Sequence, residues 1–217
     1  MIISIINEKG GSGKTTLSVN LSIKFSQIGD EVLLLDADPQ QSTKVFVDIR
    51  KQESKKVLFD SLYSKGENVK KTLEKNQKYD TIIVDTGGRD SIEMRQAIAF
   101  SDIVIIPTIP SQYDASVLQR MIDVFIQAKN INPELRGLIV INKAPTNPFL
   151  MSRINDLRNF IKQNKVQDLD LMDSVLYERV ALMNATSDGI GITELEGCKA
   201  KEDFEAFFAE LSKKTIK

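Results

Sequence analysis

The chain has 217 residues, which is enough for one well-buried domain and short for two. Apolar residues make up 41% and charged residues 27%, a balance typical of a globular protein rather than a disordered or membrane-embedded one. The charges of the 29 basic and 30 acidic side chains nearly cancel. The absence of histidine excludes a Ser–His triad, and the single cysteine excludes a disulfide within the chain.

Short apolar runs alternate with longer amphipathic patterns along the chain. The predicted strands are residues 2–6, 32–35, 81–84, 103–106, 138–141 and 174–176. Each run is apolar at successive positions, which is typical of parallel strands covered by helices on both faces. Helical spacing of apolar side chains recurs between the strands, in Leu17, Leu21, Phe25 and Ile28, in Val117, Met121, Val124 and Ala128, and in Leu150, Ile154, Leu157 and Ile161. This order predicts an α/β fold with a single doubly wound, mainly parallel sheet flanked by helices.

The organisation of the chain indicates one domain. Residues 50–78 form the most polar stretch, and we expect short surface helices there before a third strand at 81–84. No linker or repeat divides the sequence, so residues 1–217 are predicted to form a single domain without an N-terminal helix-turn-helix module. No apolar run approaches the length of a membrane span.

The C-terminal segment KEDFEAFFAELSKK has an aromatic stripe at helical spacing. The stripe comprises Phe204, Phe207, Phe208 and Leu211. Acidic residues surround these side chains and would repel anionic lipid, which argues against binding to a membrane surface. We therefore expect the stripe to pack on the protein core.

Ligands of open α/β sheets bind beyond the carboxyl ends of the strands, and the first predicted strand is followed there by EKGGSGKTT at residues 8–16. Its glycines allow successive backbone N–H groups to turn toward phosphate oxygens, and the helix that follows adds its positive dipole end. The predicted nucleotide contacts in this loop are Gly10, Gly11, Ser12, Gly13, Lys14, Thr15 and Thr16. Lys14 would neutralise the β- and γ-phosphates, Thr15 would bind Mg²⁺, and Thr16 would help to hold the α-phosphate.

One position of the loop departs from the usual phosphate-binding pattern, because Glu8 occupies the place of its first glycine. A glycine-rich turn without a ligand is the alternative interpretation. The apolar strand before the loop and the amphipathic helix after it favour phosphate binding.

Aspartates follow the next two predicted strands. The segment LLLDADPQ places Asp36 and Asp38 beside the phosphates, and YDTIIVDTGG places Asp85 where it would contact Mg²⁺ through water. Gly87 and Gly88 would allow this last loop to move with the γ-phosphate. Each aspartate has an alternative role in capping a helix or starting a turn. Sequence patterns typical of phosphate binding follow three predicted strands, and their coincidence favours a role for these aspartates in nucleotide binding.

With KGGSGKTT, LLLDADPQ, YDTIIVDTGG and SDIVIIPTIPS, the chain resembles the ParA/MinD family of deviant Walker A ATPases, most of all the short ParA-type partition ATPases. The likeness continues through LIVINK to YERVALMNATSDGIGITE and covers nearly the whole chain. In this family two subunits close face to face over two ATP molecules, and a signature lysine of each reaches the phosphates of the other. The resemblance implies a Mg²⁺-dependent ATPase that is a homodimer when ATP-bound.

The resemblance also assigns the catalytic residues, which are Lys9, Lys14 and Asp38. Lys9 would supply positive charge to the partner's nucleotide, in the manner of an arginine finger, and Asp38 would orient the attacking water. A solvated loop charge is the alternative for Lys9. Many relatives have a Pro-Pro pair after the aspartate that corresponds to Asp85, and the Thr86-Gly87-Gly88 of this chain predicts a more flexible loop.

The segment NKAP bears on the choice of base. Guanine-selective relatives of the fold have Asn-Lys-x-Asp, and Pro145 replaces the aspartate that would pair with guanine. ATP is therefore favoured over GTP. Asn142 is predicted to face the adenine, although asparagine also stabilises turns without touching a ligand.

The resemblance implies a DNA-partitioning switch in the cytoplasm, which would be associated with the nucleoid if it binds DNA. The ATP-bound dimer would hold nonspecific double-stranded DNA, and a ParB-like partner would stimulate hydrolysis. The candidate DNA contacts are Arg153, Arg158, Lys162, Lys165, Lys199, Lys213 and Lys214, with solvated surface charge as the alternative for each. A MinD-like positioning ATPase that acts without DNA is the alternative function. A metabolic ATP-dependent ligase is disfavoured, since such enzymes do not generally carry a lysine like Lys9.

Overall fold

The computed structural model describes residues 1–215, except for the side chains of residues 112–115 and 148. Within these residues the strands are β1 (Ile2–Ile5), β2 (Val32–Asp36), β3 (Asp60–Tyr63), β4 (Thr81–Asp85), β5 (Ile103–Thr108), β6 (Arg136–Ala144) and β7 (Leu169–Tyr177). The helices are α1 (Lys14–Gln27), α2 (Ser42–Gln52), α3 (Asn68–Lys75), α4 (Ile92–Ala99), α5 (Gln112–Lys129), α6 (Ser152–Gln163), α7 (Val180–Ser187) and α8 (Lys199–Thr215). Short 3₁₀ helices cover Pro148–Leu150 and Ile192–Glu194.

The strands form one parallel sheet in the order β3-β2-β4-β1-β5-β6-β7. The predicted doubly wound α/β fold is therefore confirmed. The chain builds one side of the sheet up to β4 and the other side from β5 onward. The loop after β1 consequently lies at the switch point of the sheet, where open α/β folds bind their ligands.

Helices bury both faces of the sheet, which explains why the strands are apolar at successive positions. On one face, α1 and α8 pack with Ile3 and Ile5 of β1 in a single hydrophobic cluster. On the other face, α4, α5 and α6 pack with Val104 and Ile106 of β5. No helix in the described part of the chain is both long enough and apolar enough to cross a bilayer.

The aromatic stripe of α8 packs on the core, as predicted. Phe204, Phe207, Phe208 and Leu211 are all buried. Phe208 meets Phe25 of α1 edge-to-face with ring centroids 5.1 Å apart. An ion pair of 2.7 Å between Lys24 and Glu205 joins the same two helices.

The prediction for residues 50–78 is wrong in part, because this region also contains β3. All four residues of β3 are exposed at the edge of the sheet, so the strand lacks the buried apolar run by which the others were recognised. The strand at 81–84 is therefore the fourth and not the third. Two residues assigned to helical faces also lie outside the helices: Ile28 follows α1 and is exposed, and Leu150 lies in the 3₁₀ turn before α6.

Candidate nucleotide-binding site

The loop between β1 and α1 requires glycine at its last position. Gly13 precedes the first residue of α1 and has a φ of 94°, which side chains with a Cβ rarely adopt. A Cβ on Gly13 would also lie 2.4 Å from Nδ2 of Asn142. Asn142 Nδ2 donates a hydrogen bond to the Ser12 carbonyl at 2.7 Å, which ties the loop to the end of β6.

The beginning of the loop is held from the side of β5 and α5. Asn7 Nδ2 donates to the Pro107 carbonyl at 2.8 Å, and Asn7 Oδ1 accepts from the Lys9 N–H at 2.8 Å. Glu8, which replaces the usual glycine, forms an ion pair of 2.9 Å with Arg120 of α5. The departure at Glu8 therefore gives this loop an additional contact with the helix beside it.

Asp85, at the end of β4, is buried and bonded to the first turns of α1. Its carboxylate accepts from Thr15 Oγ1 at 2.7 Å and from Ser18 Oγ at 3.0 Å. Burial raises the pKa of Asp85 to about 7, against the hydrogen bonds from Thr15 and Ser18. A hydroxyl next to a carboxylate at this place fits a Mg²⁺ ion bound directly by Thr15 and through water by Asp85.

Lys14 is buried at the start of α1. Its Nζ donates to the Lys9 carbonyl at 3.2 Å. Burial lowers the pKa of Lys14, and the charges of Asp85 and Asp38 oppose this shift. An ammonium that has lost much of its hydration gains most from a charge-assisted contact with an anion such as phosphate.

The two aspartates after β2 have different surroundings. Asp36 is buried, and its carboxylate accepts from the Thr43 hydroxyl and from the Asp38 N–H, so it holds the loop that follows β2. Asp38 accepts from the Gln40 N–H at 2.9 Å. If Gly87 carried a Cβ atom, that atom would lie 3.4 Å from Asp38 Oδ1. Asp38 thus has both a turn contact and a place beside the loop after β4.

These elements surround a cavity of about 520 Å³ at the carboxyl ends of the strands, a size that suits a nucleotide. Of the predicted residues it is lined by Gly10, Gly11, Gly13, Lys14, Thr15, Thr16 and Asp38. Buried Ser12 Oγ has no hydrogen-bond partner among the described residues, so the loop offers one more polar atom. A larger cavity of about 660 Å³ opens where β2 and β3 begin, and none of the predicted site residues lines it.

Two cations that line the nucleotide cavity, Arg89 and Lys143, were not predicted from the sequence. Arg89 directly follows the glycine pair after β4, and Lys143 follows Asn142 in the NKAP segment. Their position beside predicted site residues was the only signal in the sequence. Asn142 contacts the phosphate loop, and its predicted contact with the adenine stays a prediction.

Lys9 lies in different surroundings from Lys14. It lines a neighbouring cavity of about 370 Å³ together with Glu8, Gly88 and Arg120. A Cβ on Gly88 would lie 2.9 Å from backbone atoms of Gly10, so the loop after β4 rests directly on the phosphate loop. Gly88 therefore forms part of the wall between the two cavities.

The candidate DNA contacts lie on α6, after α6, and on α8. These helices cover opposite faces of the sheet. Arg158 donates to the Asp173 carbonyl at 2.9 Å, and Lys214 lies 4.0 Å from Asp170, so both meet the edge strand β7. Arg153, Lys162, Lys165, Lys199 and Lys213 are exposed. Asp170 and Asp173 reduce the positive potential at this edge.

Known proteins resemble the chain in sequence and fold. Residues 1–78 match the family AAA_31, described as an AAA domain. The maintenance of carboxysome distribution protein A of Halothiobacillus neapolitanus is 28% identical over 199 residues, which cover 89% of this chain and 87% of that protein. The sporulation initiation inhibitor protein Soj of Bacillus subtilis is 29% identical over 173 residues, covering 62% and 68%. The ATP complex of a McdA variant from Cyanothece shares the fold, with a TM-score of 0.77 over 97% of this chain and 96% of that chain at 18% identity.

Proposed function

We propose that this chain, which belongs to the ParA/MinD family of P-loop ATPases, is an ATP-dependent switch that dimerises over its nucleotide and hydrolyses it. The observation that carries the proposal is the cavity at the strand ends. Lys14, Thr15 and Asp38 line it, and Asp85 is bonded to Thr15 beside it. Residues 1–217 would act as one domain in the cytoplasm.

Each of these residues has a role that its position supports. Bound ATP supplies the scissile phosphoanhydride, and Mg²⁺ supplies charge to neutralise the phosphates. Lys14 and the N–H groups of the loop bind the β- and γ-phosphates. The Thr15 hydroxyl and, through water, Asp85 hold the metal. Asp38 orients the attacking water from the side of the loop after β4.

Lys9 would act on the nucleotide of the partner subunit. The described residues that line the 520 Å³ cavity do not include Lys9, which instead lines the smaller cavity with Arg120. A lysine beside its own nucleotide cavity but outside it is suited to reach a second subunit that closes over this face. Its ammonium would stabilise charge on the transferring phosphoryl group.

Mixing two inactive variants tests this arrangement. We expect Lys9→Ala and Asp38→Ala to lose about two to three decades of ATPase rate each, because each removes a group that acts in the transition state. In a mixed dimer, the site on the Lys9→Ala chain keeps its own Asp38 and receives an intact Lys9. Steady-state ATPase activity should therefore rise to a maximum at intermediate mixing ratios.

The control is a mixture of Lys9→Ala with the double variant Lys9→Ala/Asp38→Ala, in which no mixed site receives a lysine. This mixture should stay at the baseline. A flat profile for the first mixture, with mixed dimers shown to be present, would contradict the role of Lys9 in the partner's site. ATPase activity of the wild type must be measured first, since its absence would refute the proposed enzyme.

A more specific proposal is that the protein partitions DNA. The ATP-bound dimer would bind nonspecific double-stranded DNA through the candidate basic residues of α6, of the segment after α6 and of α8, and a ParB-like partner would stimulate hydrolysis and release. Binding should require ATP and weaken steeply with salt, because phosphate neutralisation releases counterions. Binding to arbitrary duplex DNA and to anionic vesicles should be measured side by side. Equal DNA binding without nucleotide, or binding to vesicles alone, would count against this proposal.

A second function is positioning of a protein assembly by the same switch. The observation that favours it is the similarity over 89% of the chain to a protein named for carboxysome distribution. Deletion of the gene distinguishes the two functions. Partitioning predicts loss of a plasmid or chromosome from daughter cells, whereas positioning predicts normal DNA inheritance and a misplaced protein assembly.

A further inference from the structure

The end of β6 contains a bulge at Asn142 and Lys143. Ile141 pairs with Val175 and Ala144 pairs with Tyr177, so two residues of β6 stand opposite one residue of β7. Lys143 has a φ of 51°, in the left-handed region that lysine rarely adopts. Bulges next to ligand sites commonly change the direction of a side chain, and backbone strain is retained where it serves a site.

The bulge brings two neighbouring side chains to the same loop. In a regular strand, adjacent residues point to opposite faces of the sheet. Here Asn142 bonds to the Ser12 carbonyl, and Lys143 Cε lies 3.7 Å from the position of a Cβ on Gly13. Lys143 also lines the 520 Å³ cavity beside Lys14.

The charge of Lys143 is available to a ligand. Among the side chains that the structure describes, no carboxylate forms an ion pair with the Lys143 ammonium. Its place in the sheet indicates which part of the ligand it meets. Asp38 and Gly87 follow β2 and β4 on one side of β1, whereas β6 lies two strands away on the other side. Since Asp38 and Gly87 are assigned to the γ-phosphate, Lys143 faces the opposite, nucleoside end.

We propose that Lys143 is a nucleotide-binding residue that contacts the α-phosphate and ribose end of the bound nucleotide. This inference rests on the proposed function and adds to it a cation supplied by the same subunit. ATP and ADP share the α-phosphate and the ribose, so Lys143 contributes equally to the binding of both. Lys9 and Asp38, in contrast, act on the γ-phosphate.

Lys143→Asn tests the proposal without disturbing the backbone, because asparagine adopts the left-handed conformation more readily than lysine. The dissociation constants of ADP and of a non-hydrolysable ATP analogue should rise by the same factor, about tenfold, as expected for the loss of one charge-assisted contact. The thermal stability of the nucleotide-free protein should be unchanged or higher. Lys143→Arg should keep the affinity for both nucleotides.

Lys56→Asn is the matched control, since it removes an exposed lysine from the loop before β3, outside the residues that line the cavity. Its affinities should equal those of the wild type. Unchanged affinity in Lys143→Asn overturns the proposal, and so does a loss confined to the ATP analogue, which would place the ammonium at the γ-phosphate. An equal loss in Lys143→Arg and Lys143→Asn would indicate packing rather than charge. If the wild type binds neither nucleotide, the proposed function itself fails.

Discussion

Replacing Arg50 by alanine should strongly destabilise the protein. Arg50 lies on α2 and is 2% exposed, and its two terminal nitrogens pair with both carboxylate oxygens of Glu194 at 2.7 and 2.6 Å. Its Nε donates to the Lys56 carbonyl at 2.7 Å, and its Nη1 also donates to the Gly189 carbonyl at 2.9 Å. One guanidinium therefore joins the end of α2 to the turn that precedes α8.

The expected loss follows from these contacts. Removing one partner of a buried ion pair costs about 3–5 kcal/mol. The Glu194 side chain is 24% exposed, so water reaches its carboxylate, and we take the lower end of the range, about 3 kcal/mol. In a chain of this length that loss lowers the melting temperature by about 6–12 °C. Arg50→Met combined with Glu194→Leu should lose less than Arg50→Ala, because no unpaired charge stays buried.

The assay is urea unfolding of Arg50→Ala and the wild type from about pH 7 down to about pH 3, a range that extends below the usual pKa of a glutamate. Burial alone would raise the pKa of Glu194, but the bonds and charge of Arg50, together with the hydrogen bond from the Gly191 N–H and the charge of Lys55, outweigh burial and hold the pKa below its usual value. A lowered folded-state pKa gives stability that is present above the unfolded-state pKa and is lost as pH falls through the folded-state value. The difference between wild type and variant should therefore shrink toward acid pH. A difference below about 1 kcal/mol at pH 7, or one independent of pH, would refute the reasoning.

Four further substitutions test the site and the core. Lys14→Ala should abolish nucleotide binding in equilibrium titrations, because the loop N–H groups alone do not balance the triphosphate charge; wild-type affinity would contradict the assignment of the loop. Gly88→Ala should lower stability by about 1–2 kcal/mol and slow ATP hydrolysis, since its Cβ would meet the Gly10 backbone at 2.9 Å. Gly87→Ala, which meets only a carboxylate at 3.4 Å, should change both measurements far less, and equal effects would argue against the close contact. Phe207→Ala should lower the free energy of unfolding by about 3–5 kcal/mol in urea titrations, because the fully buried ring leaves a cavity, and a loss below about 1 kcal/mol would contradict its packing.

The sequence predicts best the features that depend on neighbouring residues. The phosphate loop is recognisable because its glycines, Lys14 and the helix that follows are contiguous, and the central strands because both of their faces are buried. The edge strand β3 was missed because its four exposed residues carry no such signal. Arg50 was taken for part of a surface region because its partner Glu194 lies 144 positions away, and no local pattern connects them.

Lys143 shows a different limit of prediction from sequence. The NKAP segment was informative about the base, because Pro145 removes the guanine-binding carboxylate. The same four residues do not reveal that Asn142 and Lys143 both turn toward the phosphate loop. That direction depends on how β6 pairs with β7, a strand that begins 25 positions after β6 ends, and only the paired sheet contains this information.

The two sides of the phosphate loop differ in how firmly they are held. On the side of β5 and β6, side chains bond directly to backbone atoms, through Asn7 to Pro107 and through Asn142 to Ser12. On the side of β4, Asp85 at the strand end bonds to the Thr15 hydroxyl, but the Gly87-Gly88 segment that follows meets the phosphate loop through the close packing of Gly88 on Gly10. Hydrogen bonds from fixed side chains resist displacement more than packing between two glycines does, so movement that depends on the γ-phosphate should occur on the β4 side. Since Gly88 lines both the nucleotide cavity and the cavity that holds Lys9, such a movement changes the surroundings of both at once.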